Sequence, residues 1–162
     1  MNLISVGTMG YDFSRFLQII DELCEENILN GNEIIAQIGE NKYSPRNYKS
    51  FDFLSHDEYE VYMKDAEYLI THAGTGSVLP PLKMNKKIIL FPRLAKYGEH
   101  LDDHQSELAS LFANEGYTLE AKDKEELVVC ISKIKDFYPR EFISNTSNFN
   151  NLIISYIDFN FI

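Results

Sequence analysis

The chain lacks tryptophan, and it has only two cysteines, eight glycines and five prolines among its 162 residues. So little glycine and proline excludes a collagen-like or low-complexity chain. Disorder is also excluded, because 44% hydrophobic and 13% aromatic residues can bury enough surface to offset the entropy of folding. No run of about 18 apolar residues occurs, so the sequence predicts no membrane-spanning helix. The start, MNLISVGTMGYDF, lacks the basic and long apolar stretches of a signal peptide.

Positive charge is also scarce. The 15 lysines and arginines stand against 25 aspartates and glutamates, which gives a formal net charge of −10. An acidic chain repels phosphate backbones and anionic membrane surfaces, so we expect neither a nucleic-acid partner nor independent membrane binding. Backbone amides can still hold a single phosphorylated ligand. The charge therefore favours a cytoplasmic protein that reaches the inner face of the membrane through a partner.

The cysteines indicate the same compartment. Cys24 and Cys130 each fall within an apolar helical pattern. We interpret both as reduced core residues of a cytosolic protein.

Short apolar runs alternate with amphipathic stretches along the chain, and the length suits one domain, 1–162, with a core of about 2–137 and a tail, 138–162. The predicted strands are 3–6, 33–38, 51–54, 68–70, 87–91 and 117–119. The predicted helices are 13–26, 56–66, 77–85, 102–114 and 124–137, with an exposed loop at 40–50 and a loop and last helix in 140–162. This alternation predicts an α/β fold, a doubly wound, Rossmann-like parallel sheet with helices on both faces.

The least ordinary stretches all follow predicted strands. GTMG comes after the first strand, HAGTGS after the fourth and FPRLAKYGEH after the fifth. Ligands bind such sheets beyond the carboxyl ends of the strands. Three unusual loops at one edge are therefore a stronger indication of a ligand site than any one of them.

The loop HAGTGS has the composition of an anion-binding turn. Gly74 and Gly76 let backbone N–H groups approach an anion at the start of a helix, where the helix dipole adds positive charge. Thr75 and Ser77 offer hydroxyls, and Ser77 is also a candidate helix cap. His72 is either a satisfied core histidine or a part of the site. A tight turn without a ligand fits the same residues, since the spacing matches neither the dinucleotide fingerprint nor a P-loop.

Other residues near this edge are open to two interpretations. GTMG either lets a ligand approach the first strand or simply connects that strand to the next helix. Arg93 and Lys96 are candidates to neutralise a phosphate, and the alternative is a surface role. His56, at the start of a charged segment, is predicted to cap a helix or to lie at the surface.

The stretch after the fifth strand has three interpretations. His100 and His104 are four residues apart with Asp103 between them, so one helical face could hold a metal. No third histidine or cysteine is placed to complete that site, and Asp102 or Asp103 equally suits a helix cap. The third interpretation is a polar ligand face, in which Gln105 donates and accepts hydrogen bonds with sugar hydroxyls.

Three motifs together resemble the C-terminal half of the family 28 glycosyltransferases: ITHAGTGSV, KKIILFPR and KYGEHLDDHQSELASLF. More narrowly, the chain resembles the short, stand-alone form of that half, which includes the catalytic subunit of the two-piece N-acetylglucosaminyltransferase of dolichol-linked oligosaccharide synthesis. It is similar above all to a bacterial capsule and exopolysaccharide group, whose opening also resembles VGTMGYDFSR. The resemblance covers about residues 2–135.

This resemblance implies a GT-B glycosyltransferase that is divided between two chains. The present chain would be the sugar-nucleotide half, and a membrane-associated partner would supply the half that binds a lipid-linked saccharide acceptor. Such enzymes invert the anomeric centre and need no bound metal or other cofactor. For the bacterial group, the expected reaction is β-1,4 transfer of galactose from UDP-galactose in capsule or exopolysaccharide synthesis.

The resemblance also implies roles for individual positions. The expected substrate-binding residues are His72, Gly74, Thr75, Gly76, Ser77, Arg93, Glu99, His104, Gln105 and Glu107, and the expected catalytic residues are His100 and Asp103. The glycine turn would lie at the UDP pyrophosphate, Gln105 would face the donor sugar with Asp103 and His104, and Arg93 would border the nucleotide pocket. The general base would be His100, Asp103 or Glu99, or a group of the partner.

One position departs from the family pattern. The family often has a carboxylate a few residues after the glycine turn for the ribose hydroxyls, where this chain has Pro80 followed by Pro81. Ribose contacts would then come from Glu99 or Glu107. The two prolines also predict a helix that is short or begins late.

Two other functions fit the same residues. One is a non-catalytic, UDP-sugar-binding subunit that regulates a partner transferase. The other is a metal-dependent hydrolase built on His100, Asp103 and His104. The apolar end of the chain, 149–162, either docks the partner or packs across the domain's own sheet.

Overall fold

The sheet at the centre of this protein is fully parallel. A computed structural model describes residues 1–8 and 10–143. Within these residues six strands pair in the order β3-β2-β1-β4-β5-β6. They are β1 (Asn2–Ser5), β2 (Ile34–Gln37), β3 (Lys49–Phe51), β4 (Tyr68–Thr71), β5 (Lys87–Leu90) and β6 (Leu119–Glu120). The predicted fold class, a doubly wound, Rossmann-like α/β sheet, is confirmed.

Helices connect the strands across both faces of the sheet. The α-helices of the described ranges are α1 (Ser14–Glu25), α2 (His56–Asp65), α3 (Thr75–Lys83), α4 (His104–Asn114) and α5 (Lys124–Ile134). Short 3₁₀ turns lie at Gly31–Glu33 and Ala95–Tyr97.

The strands send alternate side chains into two helical layers. Ile4 of β1 and Ile89 of β5 belong to the cluster that contains α1 and α5. Leu3 points the other way and packs with Met63 of α2, while Ile88 packs with α3 and α4. The central strands are therefore buried on both faces, which explains why they are continuous apolar runs in the sequence.

The third strand lies at Lys49–Phe51, not at the predicted 51–54. Tyr48 is buried and its hydroxyl donates to the Leu17 carbonyl oxygen over 3.1 Å, which holds this end of the strand against α1. Ser55 caps α2 and so leaves 52–54 as a connection.

The segment 40–50 is a largely exposed loop as far as Tyr48, as predicted, but it is attached to α1, Tyr48 is buried, and Lys49 and Ser50 belong to β3. Asp21 is 1% exposed, and its carboxylate accepts the Tyr43 hydroxyl at 2.6 Å and the backbone amides of Arg46 and Asn47 at 2.9 Å each. A buried carboxylate is tolerated only when it is bonded in this way. The available sequence signal was the position of Asp21, four residues after Leu17 on the apolar side of the helix.

The described start of the tail packs against the domain. The Phe142 ring meets the Tyr117 ring edge-on, with centroids 5.5 Å apart. Residues 144–162, which carry the predicted last helix and the apolar end 149–162, lie outside the described residues. Within the described part of the chain, no helix is long and apolar enough to cross a membrane.

The two cysteines are free thiols, as the sequence predicted. Cys130 is buried, whereas Cys24 is partly exposed. Burial raises the pKa of each thiol to about 11, so neither is a reactive thiolate at neutral pH.

Candidate functional site

A cavity of about 570 Å³ opens at the carboxyl edge of the sheet. It lies at the ends of β1, β2 and β4 and between the N-terminal ends of α2 and α3. The chain proceeds from β1 outward to β2 and β3 on one side, and through β4 to β5 and β6 on the other. The cavity thus occupies the topological switch point, where open parallel sheets bind ligands.

The N-terminal end of α3 forms one wall of this cavity. Gly74 is the N-cap residue, no side chain caps the helix, and its first turn contains no acidic residue. The amides of Thr75 and Gly76 have no intrahelical acceptor, because they open the helix. The prediction that Ser77 caps the helix is wrong, since Ser77 lies inside it and donates its amide to the Gly74 carbonyl over 2.9 Å. The wall therefore presents uncapped amides and the positive end of a helix dipole to the cavity.

The two prolines lie further into α3 than the first turn. The helix begins at Thr75, two residues earlier than predicted, and contains both Pro80 and Pro81. Neither proline carries an amide hydrogen, so the carbonyls of Gly76 and Ser77 receive no bond from them. Pro80 is exposed, and no carboxylate stands at its position for a ribose.

The floor of the cavity is an imidazole held between two glycines. A Cβ atom on Gly7 would lie 2.5 Å from Cε1 of His72, and a Cβ on Gly74 would also collide with the ring. Gly7 has a φ of +78°, which side-chain-bearing residues rarely adopt. Both glycines are therefore required for His72 to lie flat at the entrance to α3.

His72 is neutral at physiological pH. Burial, and secondarily the positive charge of Arg93, lowers its pKa to about 4. Its Nδ1 lies 3.4 Å from the Thr71 hydroxyl, which itself donates to the Ser5 carbonyl oxygen over 2.8 Å. A neutral ring in this position can exchange a hydrogen bond with a ligand without adding charge.

The α2 end of the cavity is built from β2, the start of α2 and the connection before it. Leu54, His56 and Tyr59 line it together with Gln37. The Gln37 side-chain oxygen accepts the Leu54 amide over 3.1 Å, which fixes the chain just before α2. This end offers an aromatic ring and an aliphatic side chain as packing surfaces for a flat group.

The structure divides the predicted site residues into two sets. His72, Gly74, Thr75, Gly76 and Ser77 line the cavity. The residues after β5 do not line it: Arg93, Glu99, His100, Asp103, His104, Gln105 and Glu107. The α3 wall thus contains predicted site residues, whereas none of the predicted site residues comes from the α2 end.

Arg93 does not fit the expected position at a phosphate. It is 1% exposed, and its guanidinium donates to the backbone oxygens of Tyr11 at 2.6 Å, Val6 at 2.8 Å and Glu99 at 3.2 Å. The group also lies over the Phe13 ring, 4.8 Å from the centroid. Three of its N–H donors are therefore bonded to the protein itself.

Glu99 is likewise bonded within the protein rather than free for a ribose. It is 3% exposed, and its two carboxylate oxygens accept Arg15 nitrogens at 2.7 and 2.9 Å. One of these oxygens also accepts the Leu94 amide over 3.0 Å. A ribose contact from Glu99 would break a buried, bidentate ion pair.

Gln105 is buried at the start of α4 and bonds to the backbone instead of opening onto the cavity. Its side-chain oxygen accepts the Arg93 amide over 3.2 Å. Glu107 is exposed on α4 and pairs with His104 at 3.3 Å. The Gln105 contact ties the start of α4 to the loop after β5.

His100 is paired with Asp102, which the sequence indicated as a candidate helix cap. Its Nδ1 lies 3.0 Å from Asp102 Oδ1, and its ring lies against Tyr11 with centroids 5.6 Å apart. Asp102 also accepts the His104 amide over 3.1 Å at the start of α4, and the Asp103 carboxylate accepts the Ala95 amide over 2.9 Å. In the described part of the chain, no group of three or more histidine, cysteine or acidic side chains is arranged to hold a metal.

The α2 end of the cavity was missed because no local motif marks it. His56 was predicted to cap a helix or lie at the surface, and it is the first residue of α2. Leu54 and Gln37 are ordinary residues in the sequence. The usable signal was topological, because strand order 3-2-1-4 places the end of β2 beside the cavity.

Comparison with known proteins agrees with this geometry. The sequence pattern of the glycosyltransferase family 28 C-terminal domain matches residues 2–154. One relative, the UDP-N-acetylglucosamine transferase subunit ALG13 of Candida glabrata, is 27% identical over 149 residues, which are 85% of this chain and 72% of that protein.

Solved structures show the same fold. An NMR solution structure of ALG13 aligns with 94% of each chain at a TM-score of 0.63 and 21% identity. The calicheamicin glycosyltransferase CalG4 aligns with 82% of this chain but only 34% of its own, at a TM-score of 0.58 and 14% identity. The sheet therefore corresponds to the C-terminal half of a GT-B glycosyltransferase, and the chain belongs to the glycosyltransferase family 28 C-terminal domain family.

Proposed function

We propose that this chain is the donor-binding subunit of a two-part glycosyltransferase and that it binds a UDP-sugar. The observation that carries the proposal is the uncapped N-terminus of α3, which opens onto a cavity of about 570 Å³ at the switch point of the sheet. A diphosphate at the amides of Thr75 and Gly76 would receive hydrogen bonds and the favourable end of the helix dipole. Ser77 and neutral His72 would complete its contacts.

The rest of the cavity has room for the nucleoside. With the diphosphate at α3, a flat base would extend toward Leu54, His56 and Tyr59. The charge of the leaving diphosphate would be stabilised by amides and hydroxyls rather than by a bound metal. In this inverting reaction an acceptor hydroxyl attacks the anomeric carbon from the face opposite the diphosphate.

The proposed donor is a UDP-hexose or UDP-N-acetylhexosamine. Galactose follows from the likeness to the bacterial capsule and exopolysaccharide group, whereas the relative ALG13 is named for UDP-N-acetylglucosamine. We keep β-1,4 transfer of galactose as the first donor to test and N-acetylglucosamine as the second. The acceptor would be a lipid-linked saccharide.

The partner follows from the division of the enzyme. This chain supplies one half of a GT-B fold, and ALG13 is described as a transferase subunit. A membrane-associated second subunit would hold the acceptor and keep the cytoplasmic chain at the inner face of the membrane. His100, oriented by Asp102, and Asp103 are the candidate catalytic groups that this chain would bring to the shared cleft.

A paired substitution tests the diphosphate position. Thr75 is exposed at the start of α3, so Thr75→Glu places a negative charge there and Thr75→Gln places the same shape without charge. Calorimetry should show UDP binding weakened roughly tenfold by Thr75→Glu relative to Thr75→Gln, because one charge repels the diphosphate. Thermal stability should not fall, since an acidic residue favours a helix N-terminus. Equal UDP affinity in the two variants would contradict the proposal.

Transfer itself is tested with the partner. The chain and a candidate membrane subunit are co-expressed and supplied with UDP-galactose or UDP-N-acetylglucosamine and a lipid-linked monosaccharide. Product should form only with both subunits, and Gln105→Ala should reduce it.

A non-catalytic UDP-sugar-binding subunit is the second candidate. The observation in its favour is that neither His100 nor Asp103 lines the cavity. Under this alternative, UDP binds to the chain, and His100→Ala and Asp103→Ala leave transfer by the complex unchanged.

A further inference from the structure

Arg93 combines deep burial with an unusual set of partners. Within residues 1–8 and 10–143, its guanidinium bonds only to backbone oxygens, and it touches neither a carboxylate nor the cavity. Two of these oxygens, on Val6 and Tyr11, bracket the turn that follows β1. The third, on Glu99, belongs to the loop after β5. One side chain therefore ties together two loops at the carboxyl edge of the sheet.

The turn that Arg93 holds contributes to the cavity. Gly7 and Thr8 line it, and Gly7 lies against the His72 ring. Gly7 has a φ of +78°, which glycine adopts freely, so the backbone preference of Gly7 does not fix the turn by itself. The bonds from Arg93 to Val6 on one side and Tyr11 on the other hold the turn in place.

The positive charge of Arg93 is not balanced by the acidic side chains near it. The Glu99 carboxylate is paired with Arg15, so two guanidinium groups share one buried carboxylate. Asp12 is the other nearby acid, and it is exposed and bonded to the Ser14 hydroxyl. In a chain with a net charge of −10, this leaves a buried positive charge close to the cavity floor. After burial, the same positive charge contributes to the lowered pKa of His72 on the cavity floor.

We infer that Arg93 is a positioning residue for diphosphate binding, which holds the Gly7–Thr8 side of the cavity in place and supplies positive charge without touching the ligand. The inference rests on the proposed function. It assigns to Arg93 an effect mainly on the phosphate part of the ligand, since none of the Arg93 hydrogen bonds reaches Leu54 or His56 at the start of α2.

The test compares UDP with uridine in NMR titrations of four proteins: the unmodified chain, Arg93→Met, Arg93→Lys and the control Arg46→Met. Arg46 is a matched arginine whose side chain is 71% exposed and pairs with Glu25, away from the cavity. Arg93→Met should weaken UDP binding about tenfold, the effect of removing one charge near a dianion, and uridine binding less than about twofold. Arg93→Lys retains the charge, so its UDP affinity should lie between those of Arg93→Met and the unmodified chain. Arg46→Met should change the affinity for neither UDP nor uridine.

Equal losses of affinity for UDP and for uridine would show that Arg93 only supports the fold, and would overturn the inference. Unchanged UDP affinity in both Arg93 variants would also overturn it. If Arg93→Met does not fold, Arg93→Lys decides by the same comparison. The amide resonances of Gly7 and Thr8 in the ligand-free protein give a second readout, and they should move in Arg93→Lys but not in Arg46→Met. Failure of the unmodified chain to bind UDP would refute the proposed function, while unmoved resonances would refute the role of Arg93 in holding the turn.

Discussion

Two helices begin at the same cavity, and they begin in opposite ways. At α2, the Ser55 hydroxyl accepts the Glu58 amide and the Glu58 carboxylate accepts the Ser55 amide, which forms a complete capping box. At α3, Gly74 provides no side-chain cap, and no acid occupies the first turn. In α2, side chains of the helix itself accept the N-terminal amide hydrogens. In α3, no side chain accepts the N-terminal amides, so they are available to a ligand or to solvent.

The two helix starts therefore suit different purposes: the start of α2 suits stability, and the start of α3 suits the binding of an anion. A capping box stabilises a helix and fills the position that an anion would take. The uncapped α3 gives up that stabilisation and faces a neutral imidazole and two glycines instead. A helix N-terminus next to a cavity thus indicates an anion site only when no side chain of the helix already accepts its amide hydrogens.

The largest expected effect concerns His72, on the α3 side. Its pKa is lowered to about 4 from 6.5, so the unfolded chain binds a proton before the folded one does. The free energy of unfolding should therefore fall as the pH drops from about 7 to 4, by up to roughly 3 kcal/mol from this residue. Denaturant titrations of the unmodified chain and of His72→Asn measure the two slopes. Parallel slopes would show that the ring is accessible to protons in the folded state.

Next in size is the contrast between two neighbouring glycines. A Cβ on Gly74 would collide with the His72 ring, while a Cβ on Gly76 meets nothing within 4 Å. Gly74→Ala should cost about 2 kcal/mol of unfolding free energy through overpacking. Gly76→Ala should change it by less than about 0.5 kcal/mol. Thermal denaturation of both variants is the measurement, and equal losses would contradict the wedged position of His72.

The smallest expected effect belongs to α2. Ser55→Ala removes the hydroxyl that accepts the Glu58 amide and should cost about 1 kcal/mol of unfolding free energy. It should leave UDP affinity unchanged, because Ser55 does not line the cavity. Thr75→Ala, at the uncapped helix, is the matched control and should have little effect on stability. A larger loss for Thr75→Ala than for Ser55→Ala would reverse the comparison.

The order of helices and strands was predictable because it depends on local patterns. Apolar periodicity located α1 within one residue of its observed limits, and continuous apolar runs located β1, β4 and β5. The third strand was displaced, because its position depends on Tyr48 reaching α1 and on the capping of α2. The Tyr48 contact joins segments that are distant in the sequence, so the pattern of neighbouring residues does not predict it.

The site was predictable in part for the same reason. The glycine turn after β4 is a local motif with a local consequence, and it lines the cavity as expected. Arg93 was expected near a phosphate because it follows β5 at the carboxyl edge of the sheet, and its burial depends on three carbonyls from two loops that are distant in the sequence. The motifs of the resemblance identified the family, while they did not show which of their residues face the cavity.

The interrupted hydrogen bonding of α3 has a consequence for how this wall keeps its shape. With Pro80 and Pro81 in its second half, the helix relies on Val78 and Leu82, which are buried against Ile88 and Leu90 of β5. Truncating Leu82 would therefore loosen the amides of Thr75 and Gly76 without touching the cavity. The position of the amides that form this wall is therefore set in part by the hydrophobic interior beneath the far end of α3.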